Sequence, residues 1–182
     1  MAAMSAGSWP SSENGLLGSD WWHGRFHMEM TWWHLAHYGL WDRWDQAEKA
    51  LGCYERFTPA AKELAAQLGY KGLQWQKSVG PNARTAPWDG NQVLLWKQPH
   101  PIFFAELEYR LRPTRATLDK WADIIEGTAE YIADYPTKDA KTGRYSLAYV
   151  MPPSEQGITS DSVFDLAYWR WALDKAQEWR QR

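Results

Sequence analysis

The chain has 182 residues and a formal net charge of -2, so it is long enough for one domain with a hydrophobic core and lacks the basic surplus typical of nucleic-acid binding. No run of about 18 or more apolar residues occurs, so no membrane span is predicted. Aromatic residues make up 15% of the chain and include 14 Trp. Because indole and phenol rings match the apolar faces and polar rims of pyranose rings, this excess indicates either a sugar-binding protein or an aromatic-rich core.

The N-terminal residues 1–18 are small and polar, and they lack the basic start and apolar stretch of a secretory signal. The single cysteine, Cys53, has no partner for an internal disulfide. Both observations favour a reducing compartment such as the cytoplasm. Residues 1–20 are predicted as an irregular N-terminal segment and residues 21–182 as one folded domain.

The hydrophobic pattern predicts helices through most of the chain. Helices are predicted at about residues 25–38, 42–52, 58–68, 101–111 and 113–135, and from residue 162 towards the end. Thr58 and Pro59 have the pattern of an N-cap followed by proline at the first helical position. Gly39 and Gly69 lie where left-handed residues end helices.

Two long segments, 70–98 and 136–160, lose the helical period and are predicted as loops, with a short strand at 144–149. Loops of more than about 15 residues are usually functional. Ser162 and Asp165 have capping-box spacing, with Asp in place of the usual Glu, and open the last helix. Alternating short and long connections predict an all-α fold of paired helices whose long loops gather on one rim.

The first segment that could contribute to a functional site lies near residue 25 and is rich in Trp and His. His23 and His27 are four residues apart, but the HExxH pattern and paired cysteines of zinc sites are missing, so no metal is predicted. Glu29 lies among aromatic residues, where a carboxylate needs a basic partner or a ligand hydroxyl. We predict that Trp22, His27 and Glu29 bind substrate. Hydrogen-bonded histidines on an aromatic helix are the alternative.

Two further segments place polar side chains beside prolines. Pro99 and Pro101 flank His100 and stiffen a helix start, and rigidly held polar groups suit ligand recognition. Gln98 and His100 are therefore predicted to bind substrate, with a simple helix start as the alternative. Glu155 follows two prolines in a loop, and a general acid needs such a restrained carboxyl. An ordinary surface carboxylate is the alternative there.

Several stretches of this sequence resemble bacterial six-hairpin glycosidase-like proteins. They are WHGRFHMEMTWWHLAHYGLW, KQPHPIFFAELEYRLRP, TAEYIADY, and MPPSEQ followed by FDLAYWRWALDKAQEWR. The resemblance begins at about Trp21 and extends over most of the chain. A more local resemblance connects it to the catalytic domain of glycoside hydrolase family 65, the maltose and kojibiose phosphorylases. It implies an (α/α)6 toroid, of which the helices here form about half.

The resemblance also implies roles for individual residues. In those phosphorylases the general acid is the Glu of a Gly-Pro-Asp-Glu-Tyr stretch ahead of a helix, and Pro153–Ser154–Glu155–Gln156 occupies that place here. This assigns the acid role to Glu155. Phe26–His27–Met28–Glu29 lies where the phosphorylases have a sugar-binding Phe-Trp-Asp-Thr-Glu stretch, but the Asp is missing.

The implied function is a glycoside hydrolase or phosphorylase that acts on O-glycosidic bonds by general-acid catalysis. Its expected substrate is an oligosaccharide or glycoside, joined by inorganic phosphate in a phosphorylase, and no cofactor is expected. Family members are several times longer, so the chain is expected to be a fragment that lacks the second catalytic group and is inactive alone. Two alternatives are a non-catalytic sugar-binding module and a polysaccharide lyase that would use His100, Tyr109 and Tyr149.

Overall fold

The computed structural model describes residues 26–80, 82–86, 89–153 and 157–182. These residues form six α-helices and a short 3-10 helix, Asp89–Gln92. The α-helices are α1 (Thr31–Leu40), α2 (Trp44–Leu51), α3 (Cys53–Gln67), α4 (His100–Leu111), α5 (Arg115–Asp134) and α6 (Val163–Arg180). The predicted all-α class is confirmed. None of the described helices combines the length and apolar character needed to cross a bilayer.

Two small antiparallel sheets supplement the helices. Strand β1 (Phe26–His27) pairs with β2 (Ser78–Val79), which joins the start of the described chain to the first long loop. Strand β3 (Thr137–Lys138) pairs with β4 (Tyr145–Ser146) inside the second long loop. The strand predicted at 144–149 is therefore present in shorter form.

Helix α4 packs against α1, α5 and α6, and α5 packs in turn against α3 and α6. The sequence of α5 determines where the helix begins and which of its faces is buried. The Oγ1 of its N-cap, Thr114, accepts a hydrogen bond of 3.2 Å from the Thr117 backbone amide, and Trp121, Ile125 and Ile132 are buried. Burial of such side chains is the main stabilising contribution to a helical domain of this size. Helices α1, α4 and α6 remain side by side along a groove on one face of the molecule.

The predicted start and end of α1 were wrong. The helix begins at Thr31 instead of Arg25, because Phe26 and His27 form β1 instead. Gly39 lies inside the helix and is buried, and does not cap it. A β-carbon at Gly39 would lie 3.0 Å from the side chain of Leu107, so glycine serves here to bring α1 close to α4.

The predicted start of α3 was also wrong, whereas its end is confirmed. The helix begins at Cys53, so Thr58 and Pro59 lie within it, and the Thr58 hydroxyl donates to the Tyr54 carbonyl at 2.8 Å. At the end, Gly69 has φ of +84°, and the Tyr70 amide donates to the Ala65 carbonyl at 2.8 Å. This is the Schellman arrangement that glycine favours.

The first long loop is attached closely to the helices. Gly72 has φ of +74°, and a β-carbon there would lie 2.2 Å from the Gly127 carbonyl oxygen of α5. The next amide, that of Leu73, donates to the same carbonyl at 2.8 Å. The Met151 amide donates to the Val93 carbonyl at 2.8 Å, so the two long loops meet.

Candidate functional site

His100 connects three separate segments at the first residue of α4. Its Nε2 lies 3.0 Å from the Glu29 carbonyl oxygen, and its Nδ1 lies 3.1 Å from the Tyr168 hydroxyl. Because a carbonyl can only accept, Nε2 carries the proton and Nδ1 accepts from Tyr168. Burial lowers the pKa of His100 to about 3, so the ring is neutral at physiological pH.

A group of buried charges lies next to this histidine. Glu29 Oε1 is 3.4 Å from Lys77 Nζ and 3.5 Å from His27 Nδ1. The Ser78 hydroxyl is 3.0 Å from the same His27 nitrogen. All four side chains are almost completely buried. Glu29 Oε2 has no hydrogen-bond partner among the described residues, which leaves capacity for a ligand or water.

Lys97 and Asp165 add a second pair of charges to this region. The Lys97 ammonium donates to the Leu94 carbonyl. Burial lowers the pKa of Lys97 to about 7, although Glu29 and Asp165 act in the opposite direction. Burial raises the pKa of Asp165, while Ser162 and Lys97 counteract this effect.

Within the described chain, the Ser162 side chain makes no capping hydrogen bond, so the predicted capping box was wrong.

We call Glu29, Lys77, Lys97 and Asp165 the charged cluster. It contains two acidic and two basic groups in a nearly dry environment, where Coulomb interactions are stronger than in water. Its member Glu29 has one acceptor atom, Oε2, without a hydrogen-bond partner among the described residues. Such a cluster is suited to orienting hydroxyl groups and has no strong preference for a charged ligand.

An open groove, which we call the aromatic groove, lies on the other side of His100 and has a volume of about 670 Å³. Its lining residues are Trp32, Trp33, Trp96, His100, Phe103, Glu106, Leu107, Arg110, Phe164, Ala167, Tyr168 and Trp171. The Trp96 ring stands edge-on to Trp33 and to His100, with centroid distances of 5.3 Å in both pairs. His100 lines the groove and donates to the Glu29 backbone carbonyl, so this residue connects the groove to the segment that carries Glu29.

The predicted site residues have different surroundings. The structure brings the His27 and Glu29 side chains together and ties His100 to the Glu29 backbone. Gln98 is fully buried, and its amide accepts from the Trp75 backbone at 2.7 Å and donates to the Leu73 carbonyl at 3.2 Å. Those hydrogen bonds hold the first long loop. The predicted substrate contacts of all four residues stay predictions.

Trp22 and Glu155 lie outside the described residues, so their predicted roles also stay predictions. On either side of Glu155 the described chain is paired. The Val150 amide donates to Thr159 at 3.0 Å, and the Thr159 amide donates back at 2.8 Å. The base of this loop is therefore well anchored.

Sequence reasoning missed Lys77, Lys97, Asp165 and Tyr168. Lysine is usually exposed, and Asp165 has an obvious alternative role near a helix start. One signal was present, because Lys97 directly follows the apolar run 93–96. Among the described residues, no group of three or more His, Cys, Asp or Glu side chains could hold a metal ion.

No protein-family model matches the sequence, and no curated protein matches it. The structure does match the solved structure of a protein named "Putative kojibiose phosphorylase from human microbiome", with a TM-score of 0.80 and 12% sequence identity. The match covers 95% of this chain and 26% of that chain. The chain therefore spans about a quarter of the protein that it matches, and it has the fold of that part, in agreement with the resemblance found in the sequence.

Proposed function

We propose that this chain is the sugar-binding and acid-bearing part of a carbohydrate-active enzyme, a glycoside hydrolase or phosphorylase acting on O-glycosidic bonds. The observation that carries the proposal is the aromatic groove, whose lining residue His100 is hydrogen-bonded to the backbone of Glu29. Aromatic faces stack on the C–H faces of pyranose rings, and buried polar groups orient hydroxyls. The shared fold supports the same class of protein, and we propose that the helices form about half of an (α/α)6 toroid.

In the proposed reaction, Glu155 donates a proton to the glycosidic oxygen as its bond to the sugar carbon breaks. Water or inorganic phosphate then forms the new bond to that carbon. Protonation of the leaving group contributes about 10²–10⁴-fold to the rate of such reactions. A hydrolase needs a base to activate water, whereas in a phosphorylase the phosphate is itself the nucleophile. No cofactor is required for either reaction.

The pairing of His100 with Tyr109 in the lyase alternative receives little support from the geometry. His100 and Tyr109 are nine residues apart in α4, a rise of about 13 Å along the axis, so they cannot act on the same carbon. Tyr109 instead packs against Trp179 and lies under the Arg182 guanidinium, 4.4 Å from its ring centroid. A non-catalytic sugar-binding module would use the same groove as the enzyme, and turnover distinguishes the two.

Sugar binding by the 182-residue chain tests the proposal directly. Isothermal titration calorimetry with glucose, maltose and kojibiose should detect binding by the unmodified chain. Trp33→Ala should weaken it about tenfold, because loss of about 1.4 kcal/mol of stacking changes affinity by that factor. Trp41→Ala is the matched control, since Trp33 is 52% and Trp41 65% exposed but only Trp33 lines the groove. Equal affinities for the two variants would contradict the proposed site.

A further inference from the structure

We propose that the aromatic groove binds a neutral oligosaccharide along its length, with room for about three pyranose units; this inference rests on the proposed function. A single sugar bound beside His100 would occupy only the rim end of a groove of about 670 Å³. The remaining length carries its own regular set of aromatic and polar side chains.

Aromatic residues on α6 follow one another along the groove at regular spacing. Phe164, Tyr168 and Trp171 all line the groove, at steps of four and three residues. The rise between neighbours is about 6 and 4.5 Å, which is comparable with the length of one pyranose unit. The ring centroids are 5.9 Å apart for Phe164 and Tyr168 and 5.6 Å apart for Tyr168 and Trp171. The row therefore presents three successive aromatic side chains to the groove.

Aromatic rings ahead of and within α1 and α4 contact the α6 row and extend it. At the rim, Trp33 packs against Trp96, and Trp96 lies 6.0 Å from Phe164. Farther along, Phe103 of α4 lies 5.5 Å from Trp32 and 6.1 Å from Trp171. These ring contacts join the aromatic side chains of α1, α4 and α6 into one continuous surface along the groove.

The end of the groove far from His100 is polar. Glu106 and Arg110 line the groove and pair with each other at 3.0 Å. The Arg110 side chain is 66% exposed, so its remaining donors are available to a ligand. From His100 to Arg110 the helix rises about 15 Å, which gives an apolar stretch bounded by polar groups at both ends. Among the described residues that line the groove, the charged side chains are those of Glu106 and Arg110, and their charges are opposite. The groove therefore suits a neutral oligosaccharide better than an anionic one.

Affinity as a function of chain length tests the inference. Calorimetry with glucose, maltose, maltotriose and maltotetraose should show affinity rising at least tenfold from one to three units and levelling off at four. Arg110→Gln should weaken maltotriose binding several-fold and leave glucose binding unchanged. Arg115→Gln is a matched control, because Arg115 forms the same i,i+4 ion pair with Asp119 on α5 and does not line the groove.

The outcomes separate this inference from the proposed function. Glucose binding without a rise in affinity up to three units, or an Arg110→Gln variant that binds maltotriose normally, would overturn the extended groove alone. Absence of binding to every sugar would overturn both proposals. Light scattering completes the test: a dimer that Trp33→Ala dissociates would show that the groove is instead an interface between copies of the chain.

Discussion

Acid should destabilise this protein through His100 at a pH where most carboxylates are still ionised. Burial holds the pKa of His100 at about 3 in the folded state, compared with 6.5 for an ordinary histidine. Below pH 6.5 the unfolded chain therefore binds a proton that the folded protein does not. The contribution of this group to stability is complete above pH 6.5 and is lost as the pH falls towards 3.

The size of the effect follows from the two pKa values. Between pH 7 and pH 5 the unfolded state gains most of one proton at His100, while the folded state gains almost none. Proton linkage then lowers the free energy of unfolding by about 2 kcal/mol over this interval. That is a large part of the 5–15 kcal/mol or so that stabilises a typical domain.

His100→Gln removes the titrating group but keeps a side-chain N–H where Nε2 donates to Glu29. The variant should be about 1 kcal/mol less stable at pH 7, because the hydrogen bond from Tyr168 is lost. Its drop in stability between pH 7 and pH 5 should be about 2 kcal/mol smaller than in the unmodified protein. Urea denaturation followed by tryptophan fluorescence at pH 7, 6 and 5 measures both quantities.

His37→Gln is the control, because His37 lies in α1 against Tyr38 and Trp41 and outside the charged cluster. The stability that this variant loses between pH 7 and pH 5 is the reference for the change seen in His100→Gln. If His100→Gln loses as much stability between pH 7 and pH 5 as the unmodified protein, the buried neutral histidine is not the source of the pH dependence.

Three further predictions concern other sites. Gly127→Ala should lower the free energy of unfolding by about 1–3 kcal/mol, since the new methyl would lie 2.6 Å from the Leu73 side chain; a higher Tm in thermal denaturation would refute this. Burial lowers the pKa of Lys97 to about 7, so stability should rise from pH 7 to pH 9, where the unfolded chain keeps a proton that the folded state has lost. Urea titrations should show that Lys97→Met abolishes the rise, and an unchanged rise would point to another group. In an active enzyme containing this sequence, Glu155→Gln should reduce turnover about 10²–10⁴-fold while sugar binding survives, and normal turnover on a natural disaccharide would exclude the acid role.

The helices were predictable where local patterns and tertiary packing agree. Helix α5 has both a capping residue, Thr114, and a regular apolar face, so its sequence predicts nearly its observed extent. The starts of α1 and α3 depend on distant partners. Phe26 and His27 pair with β2 across the first long loop, and the buried residues Cys53 and Tyr54 extend α3 ahead of its proline. A local pattern contains no information about such contacts.

From the sequence, site residues could be predicted only where a polar residue lies in unusual local surroundings. His27, Glu29 and His100 are polar residues in aromatic or proline-rich surroundings, which marks them in the sequence. Lys77 reaches Glu29 because β1 and β2 pair, and no property of Lys77 itself indicates this. The position of Gln98 beside a proline predicted a ligand contact. In the structure its side-chain amide is instead hydrogen-bonded to backbone groups of the first long loop.

The contact between Gly72 and α5 has a consequence for how the first long loop can change in length. From Gly72 to Val79 the chain is held by α5 and by β1, so an inserted residue there would displace Lys77 from Glu29. The turn near Asn82 is different, because Asn82 and Arg84 are exposed and the Gly80 amide closes the turn by donating to the Arg84 carbonyl at 2.9 Å. Insertions and deletions among homologues should therefore collect around Asn82 and be absent between Gly72 and Val79.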